Sequence, residues 1–143
     1  MLPCSRRAFV TLAACSLPSL LYPRHAATAL GEPEKHFVAE ALRMKAEAVA
    51  SGDQPYGAVV VRTGAIVGYG PSRVIVDRNP EAHAERVALW DAQRRLDTKD
   101  LQGAVMYSTS RPCAACEHAL SLANVERVYF GPAATDAGKP GRW

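Results

Sequence analysis

No stretch of this sequence stays apolar for the roughly 20 residues that a membrane-spanning helix needs. The longest uncharged, mostly apolar run, residues 8–22, is shorter and is interrupted by Pro18. Cysteine is scarce as well. Two of the four lie in the first 29 residues, so beyond them only Cys113 and Cys116 remain and no disulfide framework is available. A surplus of positive charge is also missing where it would matter. The chain carries 17 Lys and Arg against 14 Asp and Glu, but Arg6, Arg7 and Arg24 stand in the first 29 residues, which hold no acid. From Leu30 onward there are 14 of each. A surface built to hold a nucleic-acid backbone keeps a basic excess, so a polymer of that kind is not the expected partner. Internal repeats and low-complexity tracts are absent, and residues 30–143 suit one small domain with a single core.

The first 29 residues read as an address. A charged pair precedes the apolar run, and Ala27-Thr28-Ala29 offers the small-residue pattern cut by a signal peptidase. Ser5-Arg6-Arg7-Ala8-Phe9 resembles the twin-arginine export signal, which implies a periplasmic protein; an ordinary Sec-type signal or a frayed cytosolic N-terminus is the alternative. Leu12-Ala13-Ala14-Cys15 resembles a lipobox, so lipidation at Cys15 stands as the alternative to cleavage after Ala29. An oxidising compartment endangers a close thiol pair. A route that carries folded proteins would let Cys113 and Cys116 take up a metal first.

Apolar spacing predicts a helix over residues 33–51, with Gly52 as its stop. Strands follow at 57–62 and 65–69, joined by a tight turn at Thr63-Gly64. Residues 73–78 read as loop or short strand. Asn79-Pro80 offers a cap and a first helical residue for a second helix reaching about Leu96. A strand at 104–108, a loop at 109–112, a helix at 113–123 and a strand at 125–130 complete the pattern, and the tail past Gly131 shows no periodicity. This order predicts an α/β fold, a three-layer α/β/α sandwich on a mixed sheet of four to five strands. Its first strand pair is antiparallel, and a parallel pair follows around a helix.

Two short motifs carry the chemistry: His83-Ala84-Glu85 and Pro112-Cys113-Ala114-Ala115-Cys116. A catalytic zinc takes three protein ligands and leaves a fourth position for water. One imidazole and two thiolates suit that ion, and a helix start favours the thiolate form. Zinc lowers the pKa of its water to about 7. A carboxylate two residues from the ligand His, itself not a ligand, can then move protons. Either motif alone is weak, because Cys-x-x-Cys also serves redox pairs and half-sites. Together they form the pattern of zinc deaminases, with one Zn2+ per chain on His83, Cys113 and Cys116 and with Glu85 as general base and acid.

At these residues the chain resembles the cytidine and deoxycytidylate deaminase superfamily, nearest the branch of guanine deaminases and tRNA adenosine deaminases. The likeness extends over residues 34–131. It includes Pro55-Tyr56-Gly57-Ala58-Val59-Val60-Val61, Asn79-Pro80-Glu81-Ala82-His83-Ala84-Glu85 and Val125-Glu126-Arg127-Val128-Tyr129-Phe130-Gly131. The resemblance implies the deaminase sandwich and a homodimer. Three departures stand out: Ser72 replaces an Asn that contacts the base, Arg111 replaces a Glu before Pro112, and the family's fifth strand and final helix are shortened or missing.

The resulting expectation is a zinc-dependent hydrolytic deaminase of a small free nucleobase or nucleoside, releasing ammonia. The alternatives are an exported zinc protein of the same fold without turnover, and a Cys113/Cys116 redox module that would leave His83 and Glu85 unexplained. Tyr56, Ala58, Ser72 and Arg111 are the candidate substrate contacts. Tyr56 could stack on a base, and Arg111 could grip an anion or pair with Glu117. Leu89, Trp90 and Leu96 are read as core or dimer interface, His118 as a surface or packing residue, and His36 as solvated or capping.

Overall fold

A computed structural model describes residues 32–141; the export signal read at residues 1–29, Cys15 included, lies outside the described residues. Alternation along the central strands decides what each sheet face meets. Strand β1 (Gly57–Arg62) pairs antiparallel with β2 (Ala65–Pro71) on one side and with β3 (Ala104–Ser108) on the other. Strand β4 (Arg127–Phe130) runs parallel to β3, and β5 (Thr135–Gly138) is antiparallel to β4, giving the order β2-β1-β3-β4-β5. Ala58, Val60, Met106 and Val128 belong to a buried cluster with residues of α2 (Ala84–Arg95) and α3 (Ala114–Leu122). The alternate residues Val59, Val61 and Tyr107 pack with Phe37, Ala41 and Met44 of α1 (Glu32–Ala50). Each Val, Met or Phe among them contributes about 1.5–3 kcal/mol on burial, and the strands' period of two divides them between the layers. The expected three-layer sandwich and mixed sheet are present, with five strands.

Local rules account for the joints. Thr63 and Gly64 both have positive φ, 50° and 75°, the conformation of a two-residue type I′ hairpin turn. Gly70 permits a close approach: a Cβ there would stand 2.1 Å from the carbonyl oxygen of Ala84. The first turn of α2 therefore rests on the bare backbone of β2, which fixes the height of the residues that α2 presents.

The elements differ from the sequence expectation in several places, among them the end of β2, at Pro71 where residue 69 is expected. Helix α2 starts at Ala84, not at Pro80. The Asn79 side chain accepts a hydrogen bond from Glu81 N–H at 3.0 Å, so it caps a turn that precedes the helix. Strand β4 begins at Arg127, two residues later than expected, although Glu126 N–H still donates to the Ala104 carbonyl. The aperiodic tail contains a fifth strand, shortened to four residues and exposed along most of its length. The apolar trio separates: Leu89 is 3% exposed, whereas Trp90 and the C-cap Leu96 are at the surface.

Candidate metal centre

Two helix starts converge on one point. His83 is the N-cap of α2 and Cys113 the N-cap of α3, both with extended backbones and neither forming a side-chain cap bond. A side chain in this position projects beyond the helix end, where the unpaired first-turn N–H groups favour negative charge. Cys116 follows three residues after Cys113, in the first turn of α3, and is fully buried. The His83 Nδ1 atom is 3.7 Å from Cys113 Sγ and 3.5 Å from Cys116 Sγ. All three atoms lie within 4.8 Å of one another.

Those separations fit zinc. With Zn–S near 2.3 Å and Zn–N near 2.05 Å, a tetrahedral ion puts its nitrogen and sulfur ligands about 3.6 Å apart. Three ligands of this kind leave one tetrahedral position for water or substrate. Burial, with the Glu85 charge adding to it, pushes the Cys116 thiol well above its ordinary range. A doubly charged ion among the three atoms is what would offset both effects and hold the thiolates.

Glu85 lies in the first turn of α2, two residues after His83, and is 4% exposed. Its Oε1 accepts a hydrogen bond from the Ser108 hydroxyl at 2.9 Å. Its Oε2 is 3.9 Å from Cys116 Sγ. One oxygen is thus held by the sheet and the other faces the metal ligands. Ser108, at the end of β3, also accepts from Ser110 N–H at 3.3 Å. Gly57 and Thr109 fasten the next residues, Gly57 N–H donating to Thr109 Oγ1 at 3.0 Å and Thr109 N–H to the Gly57 carbonyl at 2.9 Å. The loop that delivers Cys113 is therefore tied to β1 at its start.

The four candidate substrate contacts meet different fates. Tyr56 is exposed, and its carbonyl accepts from Ser72 N–H at 3.0 Å. Ala58 is fully buried within the doubly paired β1. Ser72 is only 1% exposed, and its hydroxyl donates to Asp53 Oδ1 at 2.8 Å. That hydroxyl is therefore directed toward Asp53. Arg111 is exposed near the loop's end and takes part in none of the described ion pairs, so the pairing with Glu117 is not formed. His118 has a buried Nδ1 without a hydrogen-bond partner.

Sequence reasoning missed Ser108, Thr109 and Asp53. The only signal for Ser108 was a hydroxyl at the end of an otherwise apolar strand, immediately before the motif loop.

A match to the family model described as the cytidine and deoxycytidylate deaminase zinc-binding region covers residues 32–132. The tRNA-specific adenosine deaminase of Aquifex aeolicus is 39% identical over 97 residues, 68% of this chain and 64% of that protein. The guanine deaminase of Bacillus subtilis is 33% identical over 106 residues, 73% of this chain and 68% of the relative. Its crystal structure superimposes with a TM-score of 0.66 at 30% identity, covering 71% of this chain and 64% of that one. The matched stretch thus spans a little under two thirds of the Aquifex protein. With the ligand geometry in place and the match running through α1, α2, α3 and strands β1 to β4, the chain belongs to the cytidine and deoxycytidylate deaminase family.

Proposed function

We propose that this chain is an exported zinc-dependent hydrolytic deaminase acting on a small free ring, a nucleobase or nucleoside. Ring C–NH2 and water become a ring carbonyl and ammonia. The observation that carries the small-substrate reading is local charge matching. Arg43, Arg73, Arg86, Arg94, Arg95 and Arg127 each stand within 3.7 Å of a carboxylate oxygen. With 14 charges of each sign from Leu30 onward, little positive field remains for a polyphosphate backbone. Relatives include enzymes named for tRNA and for guanine, and this surface favours the second kind of substrate.

His83 Nδ1 and the two thiolates would hold the ion, which when bound supplies the Lewis acidity that brings a coordinated water's pKa to about 7. Glu85 moves the protons. Its Oε2 takes one from water as it adds to the ring carbon and gives it to the ring nitrogen, then takes the proton of the new ring hydroxyl and passes it to the amine, which departs as ammonia as the carbonyl forms. The Ser108 bond to Oε1 keeps that second oxygen turned toward the ligands. Buried packing around Ala58 and Ala84 closes the floor against water.

The Arg6-Arg7 pair and the small-residue site ending at Ala29 support export to the periplasm. Exposed Trp90, Leu96 and Leu122 on the helical layer support a homodimer. The decisive experiment is an ammonia-release screen of zinc-loaded protein cut after Ala29. Its panel includes free purines and pyrimidines, their nucleosides and a tRNA. Turnover of a free ring is expected. Turnover of the tRNA alone would reverse the substrate reading, and zinc without any turnover would support a binding protein. Export is tested by changing Arg6 and Arg7 together to Lys, which is expected to trap precursor in the cytoplasm; undiminished periplasmic protein would point to a different route.

A further inference from the structure

One buried ionisable group lies outside the metal centre and has no part in the chemistry above. Asp53 is 7% exposed, and its two oxygens accept four hydrogen bonds. Oδ1 accepts from Gln54 N–H at 2.7 Å and from the Ser72 hydroxyl at 2.8 Å. Oδ2 accepts from the N–H groups of Ile75 and Val76, each at 2.9 Å. Only an ionised carboxylate accepts so many without offering a donor of its own. An Asn at this position would turn an N–H2 toward some of these donors.

The bonds join segments that are distant in sequence and that lead to the metal ligands. Residues 53–56 enter β1, and Gly57 is bonded to Thr109 at the head of the cysteine loop. Ser72 follows β2, and its N–H donates to the Tyr56 carbonyl. The turn through Ile75 and Val76 returns toward His83, with Arg73 N–H donating to the carbonyl of Ala82 at 3.0 Å. These tied segments also carry three apolar side chains that the core does not use: Tyr56, Ile75 and Val76 are 42%, 57% and 43% exposed.

We propose that Asp53 is a positioning residue for the mouth of the site, holding Tyr56, Ile75 and Val76 as an apolar rim for a flat heterocycle. The assignment rests on the reading of the chain as a deaminase of small rings. The rim's chemistry is complementary to the centre's. An aromatic face and two branched side chains offer area to a planar ring, while His83, Glu85 and the cysteines address one carbon of it. Asp53 acts through other residues, so its loss should weaken capture of the ring more than the proton transfers at Glu85.

Asp53→Asn in zinc-loaded protein tests this. Amide exchange at Ile75 and Val76 is expected to accelerate by about tenfold or more, while Val59 and Met106 in the sheet keep their protection. Zinc should stay near one per chain. With the most active of guanine, adenine, adenosine, cytosine and cytidine, KM should rise about tenfold while kcat stays within about threefold. Unchanged protection at Ile75 and Val76 overturns the clamp, and a collapse of kcat at constant KM overturns the rim role. If Asp53→Asn does not fold, Ser72→Ala removes a single bond to the same carboxylate and is expected to give the same pattern at smaller amplitude. If wild type binds and deaminates none of these rings, the functional reading fails and the rim role with it, while the exchange pattern still decides the clamp.

Discussion

The metal centre and the cleft along the outer edge of β2 make an instructive pair. The cleft is roomy, about 670 Å3, and is lined by Arg43, Tyr69, Arg73, Trp90, Asp91 and Arg95 among others. It nonetheless has little chemistry left to offer. Arg43 and Arg95 stand over the Tyr69 ring, at 5.8 and 5.2 Å, and each also faces a carboxylate. Asp91 accepts from the Tyr69 N–H at 3.0 Å, which occupies a donor on the exposed edge strand. At the centre the situation is reversed. His83 and Cys113 cap helices without capping bonds, and three donor atoms lie close together with one another as near neighbours. Size marks the cleft; unmet ligand chemistry marks the site.

Removing a ligand should break this contrast most severely. Cys113→Ser and Cys116→Ser are expected to lower zinc from about one per chain to almost none, read by metal analysis of freshly purified, reduced protein. Full zinc in both variants would remove the centre from consideration. Glu85→Gln should separate binding from turnover. Zinc content and fold persist because the carboxylate is outside the ligand triangle, while kcat falls by about 10²–10⁴. Activity within a few-fold of wild type would mean that another group moves the protons.

How much of this was legible beforehand follows from the range of the interactions. The strands at 57–62 and 104–108 have the bounds that the sequence predicts, because alternation and the turn at Thr63-Gly64 are local signals. The candidate ligands His83, Cys113 and Cys116 are legible because ligand chemistry restricts residue types, whatever the surrounding packing. The start of α2 was misread since Asn79-Pro80 is as good a turn as a helix cap, and only the placement of His83 at the helix end decides between them. Strand β5 was invisible because Thr135–Gly138 has no apolar alternation; its pairing with β4 supplies the order. Ser108 and Asp53 act through partners 19 to 23 residues away, and no local pattern announces such bonds.

A weaker test concerns the support behind the centre. Ser108→Ala removes the hydroxyl that holds Glu85 Oε1, leaving a buried carboxylate oxygen without that donor. The expected cost is about 1–3 kcal/mol in stability, with kcat reduced by about tenfold and zinc retained. Ser108→Thr keeps the hydroxyl and should restore most of kcat. A Thr variant no better than Ala would show that the loss comes from packing, and that Ser108 does not orient the carboxylate.

The smallest effects belong to the cleft, where Asp91 and Arg95 should behave differently from each other and from every residue of the centre. Burial would raise the Asp91 pKa, but the Tyr69 N–H and the Arg94 and Arg95 guanidiniums outweigh it and hold the carboxyl below its usual range. A depressed folded-state pKa stabilises the fold above the unfolded value near 3.9, and that contribution is lost as pH falls through the folded pKa. Asp53 is depressed in the same sense: burial opposes it, and bonds from Val76, Gln54, Ser72 and Ile75 prevail. Acid melting of wild type should therefore steepen below about pH 4, and Asp91→Asn should flatten part of that slope. Arg95→Ala is milder still, because its side chain is 53% exposed and Asp91 keeps both Arg94 and the Tyr69 N–H. Its cost should be below about 1 kcal/mol and should shrink further in high salt. Neither variant should change zinc content or turnover. If Arg95→Ala abolished turnover of a free ring with zinc and melting temperature intact, the cleft would be part of the working site, and its matched charges would have been misread as structural.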